Sequence, residues 1–222
     1  SCVYCGGPSM KIYILVDDSK SWIVPYARIL SNTLIKYKHS AHLVFNQIDI
    51  CQCDIAFYLG CTALVKKNIM NLGRSNVVVH PSSLPAGRGF SPLAWQILEG
   101  KNIVPITLFE ATEGVDEGDI YLSDKIKLNG TELNDEIKEK QGGATIDLCL
   151  NYVELFGTHV PNKQIGEATY YKSRGPLDSQ LDPHKTIAEQ FNLLRIVDNK
   201  RYPAFFNYSG CDYIIEIKKK KC

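Results

Sequence analysis

Residues 76–92 read Asn-Val-Val-Val-His-Pro-Ser-Ser-Leu-Pro-Ala-Gly-Arg-Gly-Phe-Ser-Pro. Three consecutive valines are typical of a buried strand, and this strand is predicted to end at His80. Pro92 suits the first turn of a helix, and Gly100 lies just beyond the predicted end of that helix. The stretch therefore predicts a strand, a loop and a helix in succession, with a histidine at the carboxyl end of the strand.

The same alternation extends to both sides of this stretch. Short apolar runs predict further strands at residues 11–16, 43–45, 54–59, 104–109 and 119–127. Helices are predicted at residues 22–38, 62–72 and 91–99, and a longer one at 131–156. Strands that alternate with helices favour an α/β fold with a doubly wound, mostly parallel, Rossmann-like sheet.

The remainder of the chain differs in composition. Residues 157–183 are rich in proline, glycine, aspartate and serine, and they are predicted to form an extended connection. A helix is predicted over residues 184–197, followed by a hairpin of two β runs at 204–207 and 213–217. An isolated hairpin is only marginally stable in water, so this tail is expected to pack on the preceding domain.

These boundaries predict three segments. Met10 opens an apolar run that looks like a natural start, so residues 1–9 are predicted to be a leader or the remnant of a tag. Residues 10–156 are predicted to form a catalytic domain. Residues 157–222 are predicted to supply the linker, the helix and the β-hairpin tail.

Composition limits the partners that we expect. The net charge is +1 over 222 residues, so no strong field would attract nucleic acid or a membrane surface. The cysteine pairs Cys2/Cys5 and Cys51/Cys53 each lack a second pair at zinc-site spacing, so no metal is predicted. The cysteine usage fits a reducing compartment, and a cytoplasmic location is predicted.

His80 and Asp116 are the candidate catalytic residues. Asp116 lies in the glycine-rich stretch 114–119, which follows the predicted strand 104–109. Ligands bind at the carboxyl ends of the strands in such sheets, so both residues are expected at that edge. A histidine oriented by a carboxylate can move protons during acyl transfer. Taken alone, each residue is also compatible with a structural role in a loop. Asp119 is an alternative to Asp116 as the catalytic carboxylate.

These two segments resemble the folate-dependent formyltransferases. In that family a strand ends in Asn-x-His-Pro-Ser-x-Leu-Pro, and residues 80–85 match the last six positions of this motif. A later loop of the family reads Leu-Asp-x-Gly, and its aspartate aligns with Asp116. The family's asparagine is Val78 in this chain. The resemblance implies 10-formyltetrahydrofolate as formyl donor, with His80 stabilising the oxyanion and Asp116 orienting it and accepting the amine proton.

The resemblance also implies binding residues. Residues 54–64 are similar to the strand and loop that receive the pterin ring in this family. The implied cofactor-binding residues are Gly60, Cys61, Thr62, Leu64, Glu113, Gly114 and Val115. The substrate-binding candidates are Ser82, Arg88, Gly89 and Tyr202. Ser82 could replace the missing asparagine, and Arg88 could bind a phosphate or simply be solvated.

The implied acceptor is an amino sugar. Residues 87–100 and 189–195 are most similar to bacterial sugar formyltransferase-like proteins, which act on nucleotide-linked amino sugars for surface polysaccharides. Residues 174–182 resemble the linker of methionyl-tRNA formyltransferases, but the chain stops about where their tRNA-binding barrel begins. A truncated enzyme of that kind is one alternative. A silent folate- or nucleotide-binding protein is another, because of Val78. The resemblance also implies a possible homodimer.

Overall fold

A six-stranded sheet forms the centre of the protein. The structure is a computed structural model that describes residues 8–220, so most of the predicted leader, with Cys2 and Cys5, lies outside the described residues. The strands are Lys11–Leu15 (β1), Ser40–Val44 (β2), Cys53–Tyr58 (β3), Gly73–His80 (β4), Arg88–Gly89 (β5), Ile103–Glu110 (β6), Ile120–Lys127 (β7), Tyr170–Tyr171 (β8), Ala204–Tyr208 (β9) and Cys211–Ile215 (β10). The helices are Val24–Lys36 (α1), Lys67–Met70 (α2), Pro92–Leu98 (α3), Asn134–Glu154 (α4) and Phe191–Ile196 (α5).

The strand order of the central sheet is β2-β1-β3-β4-β6-β7. The first four strands are parallel to one another, β6 is antiparallel to β4, and β7 is antiparallel to β6. The prediction of an α/β, mostly parallel, Rossmann-like sheet is confirmed. The order reverses at β1, which has β2 on one side and β3 on the other. In such folds the crevice at the carboxyl ends of the strands beside this reversal binds ligands.

The apolar strands are buried because side chains pack on both faces of the sheet. Ile55 and Phe57 of β3 face the larger core, which α1 and α4 complete, whereas Ala56 and Tyr58 face the opposite side. This burial of alternate side chains on both faces accounts for the continuous apolar run of β3. Gly142 lies in the middle of α4, where a Cβ atom would collide with the ring of Tyr26. A glycine disfavours a helix by about 1 kcal/mol relative to alanine, and here it admits the α1 aromatic ring.

The position of the loop that holds Asp116 differs from the expectation. We expected this loop at the carboxyl end of a parallel strand, but β6 runs antiparallel to β4, with Glu110 opposite Val77 and Thr107 opposite His80. The amide of Ala111 donates to the carbonyl of Asn76, four residues before His80. The chain must therefore turn back along the sheet to bring the following loop to the end of β4.

Two predicted helices are shorter than expected. The helix predicted at 62–72 is reduced to α2, because the amides of Thr62 and Ala63 donate to the Asp17 carboxylate instead of entering a helix. The helix predicted at 184–197 is reduced to α5. Side chains before α5 capture backbone groups in turns: Asp182 accepts from the amide of His184, and Glu189 accepts from the amide of Thr186.

The predicted hairpin near the C-terminus is present as β9 and β10. Ser209 and Gly210 connect the strands, and both have positive φ angles, as a two-residue hairpin turn with the right twist requires. The tail has its own small core, formed by Leu181, Leu194, Val197 and Ala204. The amide of Leu181 donates to the carbonyl of Phe205 in β9, so the connecting segment is joined to the hairpin.

A buried ion pair joins the tail to the central domain. Arg195 of α5 has a side chain that is 1% exposed, and its guanidinium lies 2.9 Å from the carboxylate of Glu132, which is 4% exposed. The Nε atom of Arg195 also donates to the Glu132 carbonyl, and the Glu132 carboxylate accepts from the amides of Asn129 and Gly130. Burial opposes ionisation of Glu132, but the backbone amides of Asn129 and of Glu132 itself, together with the ammonium of Lys140, lower its pKa to about 2.

Replacing one partner of this pair is expected to destabilise the fold. Arg195→Met removes the buried cation and leaves the Glu132 carboxylate with only the partly exposed Lys140 ammonium as counter-charge, which costs about 3–5 kcal/mol in free energy of unfolding. Urea unfolding followed by circular dichroism measures the change. The exposed pair between Lys101 and Glu99 provides the control, because Lys101→Met should cost less than about 1 kcal/mol. Equal losses for the two variants would contradict the structural role of the buried pair.

The lowered pKa of Glu132 predicts a dependence of stability on pH. Because the folded pKa lies below the ordinary value of 4.5, the stabilisation is present above about pH 4.5 and is lost as the pH falls toward 2. The stability difference between the parent and Glu132→Gln should therefore shrink by about 3 kcal/mol over this range. Urea titrations at several pH values test this, and parallel stability curves for the two proteins would disprove it.

Candidate active site

A cavity of 510 Å³ opens at the edge of the sheet beside His80. Its walls come from the loop after β3, the end of β4, the residues that lead into α3, the loop after β6, and one face of α4. The volume is in the range of pockets that hold small organic ligands. The cavity adjoins the reversal in strand order, so the topology and the cavity point to the same place.

His80 is the last residue of β4 and is 7% exposed. Its Nε2 atom lies 2.8 Å from the carbonyl oxygen of Gly87. A carbonyl can only accept, so Nε2 carries the proton in this arrangement. The ring packs against Phe109 of β6 in a T-shaped arrangement, with the ring planes at 88°. The imidazole therefore has a defined orientation, with a donating Nε2 at the wall of the cavity.

Asp116 approaches the same imidazole nitrogen from the loop after β6. One carboxylate oxygen, Oδ2, lies 3.6 Å from His80 Nε2, which is ion-pair distance but too long for a hydrogen bond. The same oxygen accepts a hydrogen bond of 2.8 Å from the amide of Gly89. Asp116 has a φ angle of +54°, in the left-handed region that aspartate tolerates better than most residues. The structure thus brings the two predicted catalytic residues together.

Gly89 is required by its surroundings. Its φ angle is +94°, and a Cβ atom at this position would lie 2.5 Å from the carbonyl oxygen of Tyr171. The close approach arises because Arg88 and Gly89 pair with Tyr170 and Tyr171 of β8. Gly89 also lines the cavity, and its amide is the group that fixes the Asp116 carboxylate.

The other predicted substrate residues are not aimed into the cavity. The Arg88 guanidinium donates to Gln164 and lies 3.5 Å from the Glu117 carboxylate, and its side chain is 12% exposed. Ser82 is buried outside the cavity lining, and its hydroxyl has no hydrogen-bond partner among the described residues. Tyr202 lies in the tail, where its carbonyl accepts from Ser179. The tail instead contributes Ile196 to the cavity wall.

Most of the predicted cofactor residues line the cavity. They are Gly60, Cys61, Thr62, Leu64, Gly114 and Val115. Leu64 and Val115 are exposed apolar side chains at the wall. The pKa of the Cys61 thiol is raised to about 12, mainly by burial and secondly by the negative charge of Asp17, so the thiol stays protonated. Glu113 is absent from the lining and pairs with Lys67 at the surface.

Comparison with known proteins identifies the family. The sequence profile described as formyl transferase matches residues 25–145, which is more than half of the chain. The chain belongs to the formyl transferase family. The match spans β4, α3 and the loop after β6, and so includes His80, Asp116 and the cavity between them.

The names of similar proteins include two kinds of formyl acceptor, methionyl-tRNA and sugars. A methionyl-tRNA formyltransferase of Lachnospira eligens is 30% identical over 159 residues, which cover 70% of this chain and 50% of the relative. The chain thus spans about half the length of this curated relative. Two solved structures share the fold. A methionyl-tRNA formyltransferase from Clostridium thermocellum has a TM-score of 0.80 at 24% identity, covering 96% of this chain and 94% of its own. A sugar N-formyltransferase from a Shewanella species has a TM-score of 0.69 at 14% identity, covering 96% and 99%.

The structure adds site residues that sequence reasoning missed in this formyl transferase. Asn134, Lys138, Gln141 and Thr145 of α4 line the cavity, and Trp22 lies in the same lining. Their spacing of four, three and four residues places them on one helical face, a signal that the sequence already contained. Within residues 8–220, the side-chain amides of Asn134 and Gln141 have no hydrogen-bond partner, whereas Lys138 pairs with Asp198. We call the four α4 residues in this wall, Asn134, Lys138, Gln141 and Thr145, the α4 stripe.

The described part of the chain shows no metal site and no membrane helix. Within residues 8–220, no three histidine, cysteine, aspartate or glutamate side chains cluster closely enough to hold a metal ion. No helix in the same range combines the length and the apolar character needed to cross a membrane.

The loop after β3 should depend on Asp17. Its carboxylate accepts from the amide of Thr62 at 2.7 Å and the amide of Ala63 at 2.9 Å. Asp17→Ala should therefore speed hydrogen exchange of both amides about tenfold, since each loses a charge-assisted hydrogen bond. Asp17→Asn keeps an acceptor oxygen and should show a smaller change. NMR exchange rates provide the measurement. Rates in Asp17→Ala equal to those of the parent would show that the loop is held by other contacts.

Proposed function

We propose that this chain is an N-formyltransferase that moves a formyl group from 10-formyltetrahydrofolate to the amine of an amino sugar carried on a nucleotide. The observation that carries the proposal is the convergence of His80 Nε2 and the Asp116 carboxylate, 3.6 Å apart, at the wall of one 510 Å³ cavity. Membership of the formyl transferase family supports the reaction type and the folate donor.

The folate supplies the formyl carbon that the amine attacks, and its N10 atom leaves with a proton. His80 stabilises the charge that develops on the formyl oxygen, because its Nε2–H can change partner from the Gly87 carbonyl to that oxygen. A fixed donor of this kind contributes about 100- to 1000-fold in rate. In this proposal His80 acts as a preorganised hydrogen-bond donor.

In this proposal Asp116 accepts the proton that the attacking amine loses. Its Oδ2 atom is anchored by the Gly89 amide, which leaves Oδ1 to accept the proton that the attacking amine loses, directly or through water. The formed bond joins the amine nitrogen to the formyl carbon, the broken bond is that to N10, and Asp116 passes the proton it took from the amine to N10, directly or through water.

The cavity fits a folate. The loops containing residues 60–64 and 112–116 border it with backbone groups and with the apolar side chains of Leu64 and Val115. A flat heteroaromatic ring needs apolar walls and a few fixed polar groups, which these loops supply. Cys61 and Thr62 turn their side chains toward Leu15 and Asp17, so their contribution is through the backbone.

The α4 stripe supports a hydroxyl-rich acceptor. The side-chain amides of Asn134 and Gln141 can donate to and accept from sugar hydroxyls, and the ammonium of Lys138 can serve a phosphate group. Trp22 offers an aromatic face in the same wall. A nucleotide-linked amino sugar combines these features. The near-neutral net charge also favours a small acceptor over a polyanion such as tRNA.

A methionyl-tRNA acceptor is the second candidate. It is favoured by the 30% identity with the Lachnospira eligens methionyl-tRNA formyltransferase. Transfer to methionyl-tRNA should then be strongly salt-dependent, because phosphate contacts release counterions. Transfer to a nucleotide-linked sugar depends on fewer charges and should change much less with salt.

Val78 supports a third possibility, a protein that binds folate without turnover. This residue stands where the family has an asparagine, and the nearby donor Tyr58 is already bound to Asn76. Restoring the amide with Val78→Asn should raise kcat in an active enzyme by up to about 100-fold, the value of one oxyanion donor.

Formyl transfer tests the proposal. The protein is incubated with 10-formyltetrahydrofolate and a panel of nucleotide-linked amino sugars, and products heavier by one CO unit are detected by mass spectrometry. We expect one product with the parent, and a loss of at least about 100-fold in His80→Asn and Asp116→Asn. Exposed residues provide matched controls, since His184→Asn and Asp124→Asn should retain parental rates.

Three outcomes separate the candidates. A sugar product that disappears in both site variants supports the amino-sugar enzyme. Formylation of methionyl-tRNA with no sugar product replaces it with the second candidate. Folate binding without any product, unchanged in His80→Asn, would identify the silent protein instead.

A further inference from the structure

We propose that Gln164 is a positioning residue that holds Asp116 against His80. This inference rests on the proposed function only where it concerns turnover. Gln164 lies in the connection between α4 and the tail, far in sequence from both catalytic residues. Its side-chain amide nevertheless contacts the loop of Asp116 on one side and Arg88 on the other.

The hydrogen bonds of Gln164 define its orientation. Its Nε2 atom donates to the carbonyls of Asp116 and Gly118, both at 2.8 Å. Its Oε1 atom accepts from the Arg88 guanidinium at 2.7 Å. A reversed amide would direct Oε1 at two carbonyl oxygens, so the assignment of nitrogen and oxygen is unambiguous. Both amide protons and the carbonyl oxygen are therefore used.

Asp116 needs this support because its backbone is strained. A residue other than glycine at a φ angle of +54° costs about 1 kcal/mol or more and persists only when its surroundings hold it. The Gly89 amide holds the carboxylate, and Gln164 holds the carbonyl of the same residue. The two contacts together fix both ends of Asp116.

Gln164 also joins the two loops that carry the chemistry. Arg88, which it accepts from, immediately precedes Gly89, whose amide binds the Asp116 carboxylate. Five residues after Gln164, the hydroxyl of Thr169 accepts a hydrogen bond from the amide of Gly87, whose carbonyl accepts one from His80 Nε2. The segment from Gln164 to Thr169 thus stabilises the backbone around both catalytic side chains from outside the cavity.

This arrangement makes the distance between Asp116 and His80 depend on Gln164. Gln164 does not line the cavity, so it does not contact a ligand bound there. Its loss should therefore lower kcat without weakening binding of the formyl donor. A misplacement of about 1 Å in a catalytic group is sufficient to cost on the order of 100-fold in rate.

The test compares Gln164→Glu with Gln190→Glu. Gln164→Glu keeps the size and the acceptor for Arg88, but it replaces the donating NH₂ with an oxygen that repels the two carbonyls. Gln190 is a matched control in the tail, because its Nε2 also donates to backbone carbonyls, those of Asp182 and Lys185. We expect a tenfold or greater loss of kcat in Gln164→Glu, with KM for the donor changed less than about twofold, and parental kinetics in Gln190→Glu.

A second readout does not require turnover. The Gly89 amide should exchange with solvent about tenfold faster in free Gln164→Glu, because its acceptor on Asp116 is no longer held, and at the parental rate in Gln190→Glu. If the parent shows no formyl transfer, the proposed function fails, and the exchange rate still decides the role of Gln164. Parental exchange of Gly89 in Gln164→Glu would overturn the inference. A fall in kcat accompanied by a similar rise in KM would also overturn it, since that pattern indicates a general structural defect.

Discussion

Antiparallel pairing of β6 with β4 is the constraint on which the site depends. A strand parallel to β4 in this position would end at the same edge of the sheet as His80, and its following loop would lie there without turning back. Here Thr107 lies opposite His80, and Ala111 is already bound to Asn76 farther down β4. The loop can reach the end of β4 only by turning back, and this return brings Asp116 to 3.6 Å from the imidazole.

The return of the loop creates local demands that other segments meet. Asp116 adopts a left-handed conformation, and hydrogen bonds from Gly89 and Gln164 support it. Gly89 in turn needs a positive φ angle and the absence of a side chain, because β8 packs directly against it. The short pairing of β5 with β8 is therefore part of the site, although neither strand belongs to the central sheet.

The tail is held to the same framework by a different kind of interaction. Arg195 and Glu132 form a buried pair in which both groups are surrounded by further hydrogen bonds. If one partner moves away, the other remains as an unpaired buried charge, which is strongly unfavourable. The pair therefore holds the tail and the start of α4 in one arrangement. Its position at the start of α4 also fixes the helix that carries the α4 stripe. Ile196, the neighbour of Arg195, completes the cavity wall on this side.

The sequence alone determined the class of fold and the two residues at the centre of the site. Apolar runs alternating with helical segments predict a parallel α/β sheet, and the pattern around His80 and Asp116 is local enough to be read directly from the chain. The α4 stripe was also present in the sequence as a helical spacing. The tertiary structure decided the direction of β6, the shortened helix at 62–72 and the inward turn of Arg88. It also decided the role of Gln164. Each of these depends on a hydrogen bond between residues distant in sequence, such as that from Thr62 to Asp17 or from Gln164 to Asp116. Local propensity and spacing contain no information about such partners, because only the folded chain brings them together.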